Sequence, residues 1–245
     1  MDQPSLYFML KIGVKIEVQE DDFPSVAPHP KPLEILHDVI TEELDVEFSR
    51  AMGRVGRNAH LKVTRIKIDK GIYLWSAEKH TDNLLKFLGL DDSKPSPTQM
   101  VKRRTLEDRD ELPSDPVTRL MFRSGVGILR FDSDQKPETS FATKELNHAL
   151  EESYPADIGR LKRVARYFQG QSASGLFFRR GGAIGPIVAH TDADHAGDRF
   201  TRKSTTSIAV TINGCAITDA ENSQSLNGVS TGKAEFYGVG CGVGE

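Results

Sequence analysis

The sequence predicts an α+β fold in which a hairpin and several helices lead into an incomplete mixed sheet with one helix. Alternating apolar residues predict strands near both ends of the chain, whereas apolar residues at helical spacing predict helices through its middle. The chain has 245 residues, of which 38% are hydrophobic and 27% charged, which is ordinary for a globular protein. This length allows one large domain or two of modest size.

Charge and cysteine content restrict the class of protein. The formal net charge of -3 argues against a uniformly basic nucleic-acid binder, although a local basic face remains compatible with it. Cys215 and Cys241 have neither metal-ligand nor redox spacing, which favours a reducing compartment. No apolar run reaches the length of a membrane span. We therefore expect a soluble intracellular protein without membrane insertion.

Residues 1–60 are predicted to form a strand, a proline-rich loop and a helix. The alternation over residues 8–18 predicts one half-buried strand. Its apolar face is formed by Leu10, Ile12, Val14, Ile16 and Val18. Four prolines between residues 21 and 32 predict an exposed loop. A helical pattern then runs over residues 32–55. Its buried stripe is formed by Leu33, Leu36, Ile40 and Leu44.

Residues 61–172 are predicted to form a hairpin followed by helices. The turn Asp69-Lys70-Gly71 separates two strand-like runs. Ser76 then precedes a helix with Leu84, Leu85 and Leu88 facing inward, and Gly89 suits its carboxyl end. Residues 91–117 read as a polar connector, and residues 117–131, 139–150 and 157–170 as three further helices.

The last of these helices has one strongly basic face. That face is formed by Arg160, Lys162, Arg163 and Arg166, which could follow a phosphate backbone. The alternative is a solvated helix face whose charge is balanced by Glu145, Glu151 and Glu152. The residues by themselves leave both interpretations open.

Residues 173–245 contain the strongest local candidate for a chemical site. Short strands are predicted at residues 175–179, 187–190 and 206–212, and the second delivers Asp192, Asp194 and Asp198 into a turn. Glu235 lies near the start of a helix whose later residues are unusually rich in glycine. Carboxylates from separate elements can hold Mg²⁺ for phosphodiester hydrolysis. Aspartates at strand ends are more commonly turn formers, so the pattern by itself favours that role.

Three other motifs fail on their spacing. A calcium loop beginning at Asp192 would need acids where Ala196 and Lys203 stand. A phosphate-binding loop at residues 228–233 is one residue short, and Ala234 replaces its hydroxyl. His190 and His195 have no third zinc ligand at a suitable spacing.

Several segments together resemble the copia-type class of retrotransposon polyproteins, over roughly residue 62 to the carboxyl terminus. GIYLWSAEKHTDNLLKFLGLDDSKPSPTQM resembles the stretch after the polymerase palm. The chain is also similar to the family's thumb and connection helices, over the segments MFRSGVGILRF, KPETSFATKELNHAL and LKRVARYFQGQSASGLFF. HTDADHAGDRFTRKSTTS resembles the opening of the ribonuclease H domain, and VSTGKAEFYG its first long helix. Residues 61–172 are then a reverse-transcriptase thumb/connection-like region, and residues 173–245 a truncated ribonuclease H-like domain.

The resemblance implies a two-metal nuclease that cuts the RNA strand of an RNA–DNA hybrid, with Mg²⁺ as its ion. Asp192 matches the first metal-binding acid and Glu235 the second. Asp194, Arg202, Lys203 and Ser204 match positions that support the strand and its turn, and we expect no catalytic role for them.

The sequence also departs from the family. It has no polymerase motif of the Tyr-x-Asp-Asp kind, and only ten residues follow Glu235 (245 − 235) where further acids are expected. Lys233 stands where glutamate is usual, and its charge disfavours Mg²⁺ nearby. His195 and Asp219 each replace a tryptophan, upstream of a retained Gln224. Two carboxylates cannot supply the ligands that usually fix two ions.

Three hypotheses follow. The chain is a reverse transcriptase/ribonuclease H-like fragment without catalytic activity on its own, or a non-enzymatic structural or accessory subunit derived from a retroelement. The third hypothesis is a hybrid nuclease completed by further sequence or by a partner. An incomplete sheet would leave an open edge for a protein partner, and we expect strand 205–213 to provide it.

Overall fold

The computed structural model of the chain contains two compact units, Met1–Gly53 and Arg54–Glu245. The described residues are 5–18, 22–49, 51–53, 55–60, 62–76, 78–99, 105, 107, 112–171 and 174–244. Within them are six α-helices and strands arranged in three sheets, which confirms the predicted α+β class. The sheet was predicted to be mixed, but every pairing described is antiparallel.

The first unit is a small three-stranded sheet with one helix. Strands β1 (Ser5–Met9), β2 (Val14–Val18) and β3 (Ser25–Val26) pair in that order, and helix α1 (Pro30–Glu43) follows. Val14, Ile16 and Leu36 form its buried core. Apolar side chains from both the sheet and the helix thus meet in one small cluster.

The prediction of one strand over residues 8–18 is wrong. The chain reverses through a turn at residues 10–13, where Gly13 has φ +70° and its N–H donates to the Met9 carbonyl at 2.9 Å. Leu10, predicted to be buried, is 88% exposed at the turn. Alternation continues through the turn in the sequence, so it concealed the reversal.

The helix predicted over residues 32–55 is shorter and begins earlier. It starts at Pro30 because proline fits the first turn, where its missing N–H has no helical partner. Glu43 ends it, and Leu44 adopts extended dihedral angles and is half exposed. The last turn contains no basic residue, so nothing there balances the negative end of the helix dipole.

The second unit begins with a four-stranded antiparallel sheet. Its order is β4 (Gly56–His60), β5 (Val63–Ile68), β6 (Gly71–Ser76) and β7 (Leu176–Arg179). The hairpin predicted around Asp69-Lys70-Gly71 is confirmed as β5–β6. Gly71 is required there, since a Cβ atom would collide with the carbonyl oxygen of Phe178.

The chain forms four helices between β6 and β7, and these helices pack together. They are α2 (Glu78–Phe87), α3 (Pro116–Ser133), α4 (Ser140–Asn147) and α5 (Pro155–Gly170), with a short 3₁₀ turn at Pro137–Thr139. Their shared core includes Leu84, Leu88, Phe122, Leu129, Leu146, Leu161, Val164 and Phe168. The helices predicted in this region are confirmed. Part of the predicted connector, residues 100–104, 106 and 108–111, and the side chain of Ser76 lie outside the described residues.

The carboxyl-terminal part forms a three-stranded antiparallel sheet with one helix. Strands β8 (Ile187–Ala193), β9 (Thr205–Ile212) and β10 (Cys215–Ser223) pair in the order β10-β9-β8, and helix α6 (Thr231–Gly244) follows. The tight turn between β9 and β10 has positive φ at Asn213 and Gly214, two residue types that adopt this conformation readily. Strand β10 was not predicted.

The prediction that strand 205–213 is an open edge is wrong. β9 pairs with β8 on one side and with β10 on the other, so its backbone groups are used within the sheet. The turn at Asn213-Gly214 reverses the chain, so β10 pairs antiparallel with β9 and covers its edge. The outer strands of this sheet are β8 and β10.

Candidate functional site

Asp192 lies near the end of β8 on the face of the sheet opposite α6. It is paired across the strands with Ser207 of β9, which is paired in turn with Glu221 of β10. These three side chains therefore form a row on one face, because paired residues in a sheet share a face. Asp192 is exposed, whereas Glu221 is partly buried.

Glu221 is the perturbed carboxyl group of this row. Burial raises the pKa of Glu221 above its ordinary value, and the charges of Asp219 and Asp192 raise it further. The Ser207 hydroxyl, which donates a hydrogen bond to Glu221, and the Lys144 ammonium group oppose this increase in pKa. The sequence analysis missed Glu221 because β10 was not recognised as a strand.

Asp194 and Asp198 act as turn formers, which is the common role of aspartates at strand ends. Asp194 Oδ1 accepts the Thr205 N–H at 2.7 Å, and Asp198 Oδ1 accepts the Phe200 N–H at 2.8 Å. Burial tends to raise the pKa of Asp198, but the N–H groups of Phe200 and Thr201 hold it below its ordinary value. Both carboxylates thus stabilise the loop between β8 and β9.

Backbone geometry in the same loop agrees with this structural role. Ala196 and Arg202 have φ of +52° and +59°, and the Ser204 hydroxyl accepts the Ala196 N–H at 3.0 Å. Ser204 is fully buried. Ser204 thus contributes a side-chain contact to this turn, and Arg202 contributes its left-handed backbone conformation.

Glu235 lies on α6, which packs directly on β8. A Cβ atom on Gly238 would lie 3.5 Å from both Ala193 Cβ and Thr206 Cγ2. Because residues alternate along a strand, the α6 side of β8 carries Thr191 and Ala193, and Asp192 points to the other side. Glu235 is partly buried on this helix. The helix that carries Glu235 therefore lies on one side of the sheet, and the side chain of Asp192 lies on the other.

The helix itself departs from expectation. We predicted that the glycines after Glu235 would make a poor helix, but α6 continues to Gly244. A Cβ atom on Gly242 would lie 2.5 Å from Thr191 Cγ2, so this position permits the close approach of helix and sheet. Packing against β8 thus outweighs the low helix propensity of glycine.

The donor set does not fit a two-metal centre. No group of three or more histidine, cysteine, aspartate or glutamate side chains in the described residues is placed to hold a metal ion. The predicted ligands Asp192 and Glu235 supply two carboxylates, where paired ions need several more donors around them. Lys233 is exposed two residues before Glu235 and adds a positive charge there. His190 and His195 are both exposed.

The basic face of α5 is partly occupied by contacts within the chain. Arg160 Nη1 lies 2.8 Å from Asp157 Oδ1, and Arg163 Nη2 donates to Thr98 Oγ1 at 2.7 Å. The Arg166 carbonyl accepts the Ser96 N–H at 3.0 Å, and Lys162 is partly buried. The segment around residues 96–98 therefore lies against the helix that was predicted to follow a phosphate backbone.

Helix α4 connects the helical layer to the acidic face of the sheet. Lys144 Nζ donates to Thr205 Oγ1 at 2.7 Å and lies 3.0 Å from Glu145 Oε1. The Ser140 hydroxyl donates to Asp219 Oδ2. Glu145, which was considered as a balance for the α5 arginines, is here paired with Lys144. Asp219, at the position of a family tryptophan, serves as an acceptor for α4.

Comparison with known proteins gives three informative similarities. The uncharacterized mitochondrial protein AtMg00810 of Arabidopsis thaliana is 32% identical over 147 residues, which cover 60% of this chain and 59% of that protein. The retrovirus-related Pol polyprotein from transposon RE2 of Arabidopsis thaliana is 29% identical over 175 residues, covering 71% of this chain and 12% of the polyprotein. The corresponding polyprotein from transposon TNT 1-94 of Nicotiana tabacum is 26% identical over 186 residues, which cover 72% of this chain and 13% of that polyprotein.

The chain thus spans less than two thirds of each of these relatives. No family model matches the chain, and no solved structure matches it. Among the described residues, no helix is both long and apolar enough to cross a membrane.

Proposed function

Because the chain belongs to the Pol polyproteins of copia-type retrotransposons, we propose that it is a reverse transcriptase/ribonuclease H-like piece that has no nuclease activity on its own. The family supplies the expectation of a hybrid-cutting site, and the expected ligands are Asp192 and Glu235. The observation that carries the proposal is the position of Asp192, which shares its sheet face with Ser207 and Glu221 instead of with α6.

Charge around the two acids supports the same proposal. Asp192 lies within the electrostatic influence of Glu221, whose pKa is raised, so the second carboxyl group of this row is protonated more readily than usual. Lys233 lies two residues before Glu235 in the sequence, and its Nζ lies 5.7 Å from the Tyr237 ring centroid. Neither neighbour supplies the ordered, fully ionised oxygen donors that Mg²⁺ requires.

Binding to an RNA–DNA hybrid is the second part of the proposal. Lys162 and the outer parts of α5 are the source of positive charge for such binding, while Arg160 and Arg163 are held by Asp157 and Thr98. We therefore expect weak binding without sequence preference and with a shallow dependence on salt concentration, because few cations are free to neutralise phosphates. Fluorescence anisotropy of a labelled hybrid at several salt concentrations measures this, and tight binding at high salt would contradict it.

A cleavage assay tests the central part of the proposal. A labelled RNA–DNA hybrid is incubated with Mg²⁺ or Mn²⁺ and either the chain or its Asp192→Asn variant, with a working ribonuclease H as positive control. We expect the chain and the variant to be equally inactive, while circular dichroism shows both to be folded. Metal-dependent cleavage that Asp192→Asn abolishes would overturn the proposal, because Asp192 would then belong to a complete site.

A further inference from the structure

The chain contains two Asn-Gly pairs, Asn213-Gly214 and Asn227-Gly228, with similar residues before them. A large aliphatic residue precedes each asparagine, Ile212 in the first case and Leu226 in the second. Asparagine is a thermolabile residue, because the next backbone nitrogen can attack its side-chain amide. Glycine leaves that nitrogen unobstructed, since it has no side chain. The two pairs therefore have similar intrinsic reactivity, and a large difference between them has to come from the fold.

Asn213 is held by the fold at both ends of its side-chain amide. It lies in the tight turn between β9 and β10 with φ of +54°. Its Oδ1 atom accepts the Gly185 N–H at 2.7 Å, and its Nδ2 atom donates to the Ala183 carbonyl at 3.5 Å. The paired residues Ile212 and Cys215 close the turn on either side. Asn213 thus has to break two hydrogen bonds before its Cγ atom can approach the following nitrogen.

Asn227 is held less firmly. It lies between β10 and α6, outside any helix or strand, and it is exposed. Among the described residues, its side chain has one hydrogen bond, in which Nδ2 donates to the Thr201 carbonyl at 3.3 Å. That bond restrains the nitrogen that would leave and does not involve Oδ1. Water and base can therefore reach this asparagine, and few contacts oppose the movement of its Cγ atom.

We propose that Asn227 is a site of spontaneous deamidation, which the fold permits there and suppresses at Asn213. The Gly228 nitrogen loses its proton to base and forms a bond to Asn227 Cγ, which closes a succinimide ring. The bond from Cγ to Nδ2 breaks, and the leaving nitrogen takes up a proton and departs as ammonia. Water then opens the ring at either carbonyl carbon, which gives aspartate or isoaspartate. The inference does not rest on the proposed function.

Deamidation removes a contact between two loops. Asn227 joins the segment before α6 to the loop between β8 and β9, in which Asp198 Oδ1 accepts the Thr201 N–H at 3.1 Å. An aspartate at this position has no amide donor, and its carboxylate would face the Thr201 carbonyl oxygen. We therefore expect the reaction to release the contact and to add one negative charge at the same place.

Isoaspartate has the larger structural effect, because it adds a methylene group to the backbone. Gly228 lies against the first turn of α6, where a Cβ atom on it would be 3.3 Å from both the Cβ and the N atom of Ala234. Ala234 is fully buried. An additional backbone atom immediately before Gly228 therefore disturbs the packing at the start of α6.

Peptide mapping of the folded chain during incubation at mildly alkaline pH tests the proposal. Both asparagines lie on one tryptic peptide, from Ser204 to Lys233, because no lysine or arginine intervenes. Tandem mass spectrometry thus compares the two positions within one molecule. We expect Asn227 to deamidate about tenfold faster than Asn213, which must break more hydrogen bonds and leave a closed turn. Both aspartate and isoaspartate should form at position 227.

The unfolded chain separates the effect of the fold from that of the sequence. In concentrated urea the contacts of both asparagines are lost, so the two rates should become similar. In the folded chain, Asn227→Gln should abolish conversion at this position, because the longer side chain must close a larger and less favourable ring. Asn222→Gln, at an exposed position on the same peptide, is the matched control and should leave the conversion of Asn227 unchanged.

Three results would overturn the proposal. Equal conversion at both positions of the folded chain, or faster conversion at Asn213, would mean that the contacts of Asn213 do not protect it. A difference that persists in urea would assign the selectivity to the sequence instead of the fold. Aspartate without isoaspartate at position 227 would mean direct hydrolysis of the amide, without a ring.

Hydrogen exchange measures the structural consequence. In Asn227→Asp, which circular dichroism should show to be folded, the amides of Phe200 and Thr201 should exchange faster than in the unmodified chain. Asn222→Asp adds the same charge at an exposed position of β10 and should leave these amides unchanged. Unchanged exchange in Asn227→Asp would contradict the release of the loop contact.

Discussion

Gly242 of α6 lies directly over Thr191 of β8, at a distance that leaves no room for a side chain: a Cβ atom on Gly242 would be 2.5 Å from Thr191 Cγ2. At Gly238 an added Cβ atom would be in ordinary contact, 3.5 Å from Ala193 Cβ and Thr206 Cγ2, so Gly242 is the position at which the helix backbone approaches the strand too closely for a side chain. A glycine-rich helix is therefore retained here by its fit to the sheet, although glycine disfavours helices.

The first prediction tests this fit. Gly242→Ala should lower the free energy of unfolding by about 1 kcal/mol, because crowding against a β-branched side chain costs about 1–3 kcal/mol and the gain in helix propensity offsets only part of it. Urea denaturation measures the change. Gly240→Ala is the matched control, since no atom lies within 4 Å of the added methyl group. It should stabilise the chain by about 0.5–1 kcal/mol, and equal stabilisation by both changes would contradict the packing described.

The second prediction concerns Gln224, which joins α6 to β9. Its Nε2 donates to Thr206 Oγ1 at 2.9 Å and to the Ala234 carbonyl at 2.8 Å, in a buried setting. Gln224→Leu keeps the volume but leaves the Ala234 oxygen without this donor, so the free energy of unfolding should fall by about 1–3 kcal/mol.

Asn227→Leu is the control for Gln224, because the Asn227 amide is exposed and donates to the Thr201 carbonyl at a longer 3.3 Å. Water can replace that donor, so urea denaturation should show a much smaller change. Equal losses of stability in both variants would contradict the prediction that the buried hydrogen bonds of Gln224 contribute more than the exposed one of Asn227.

The third prediction concerns Lys136. It is 1% exposed, its Nζ donates to the Gln171 carbonyl at 2.5 Å, and it lies 4.8 Å from the Phe168 ring centroid. Burial lowers the pKa of Lys136 from its ordinary 10.5, against the opposing charges of Glu138 and Asp132. Between the lowered pKa and 10.5, the unfolded chain binds more protons than the folded chain, so stability rises with pH in that window.

Lys136→Met removes this titration. Its free energy of unfolding should therefore rise less with pH over the alkaline window than that of the unmodified chain, as urea denaturation at a series of pH values would show. Lys86→Met, at an exposed position of α2, should keep the slope of the unmodified chain. Identical slopes for Lys136→Met and the unmodified chain would mean that the lysine is not titrated differently on folding.

Local patterns predicted the helices and the β5–β6 hairpin, because the turn Asp69-Lys70-Gly71 and the apolar stripe through Leu161, Val164 and Phe168 have clear periods. The turn at residues 10–13 was missed because apolar alternation runs through it. Strand β10 was missed because its polar residues do not alternate with apolar ones, although Asp219 and Glu221 share a face. Buried polar partners depend on tertiary contacts that no local pattern records.

The candidate site could likewise be predicted only in part from local sequence patterns. Asp192 was found from its place at the end of an apolar strand, and Asp194 and Asp198 proved to be turn formers. The proximity of Asp192 to Glu221 could not be predicted, because it arises from pairing across three strands. The predicted roles of Asp192 and Glu235 in metal binding, and of the α5 basic face in nucleic-acid binding, remain predictions.

Binding of Mn²⁺ measured by isothermal titration calorimetry, for the chain and for Asp192→Asn, tests most directly whether this chain holds a working nuclease site. A donor set limited to Asp192 and Glu235 predicts no binding that depends on Asp192. Tight binding of two ions that Asp192→Asn abolishes would contradict the account, since it would require further ligands to converge on Asp192.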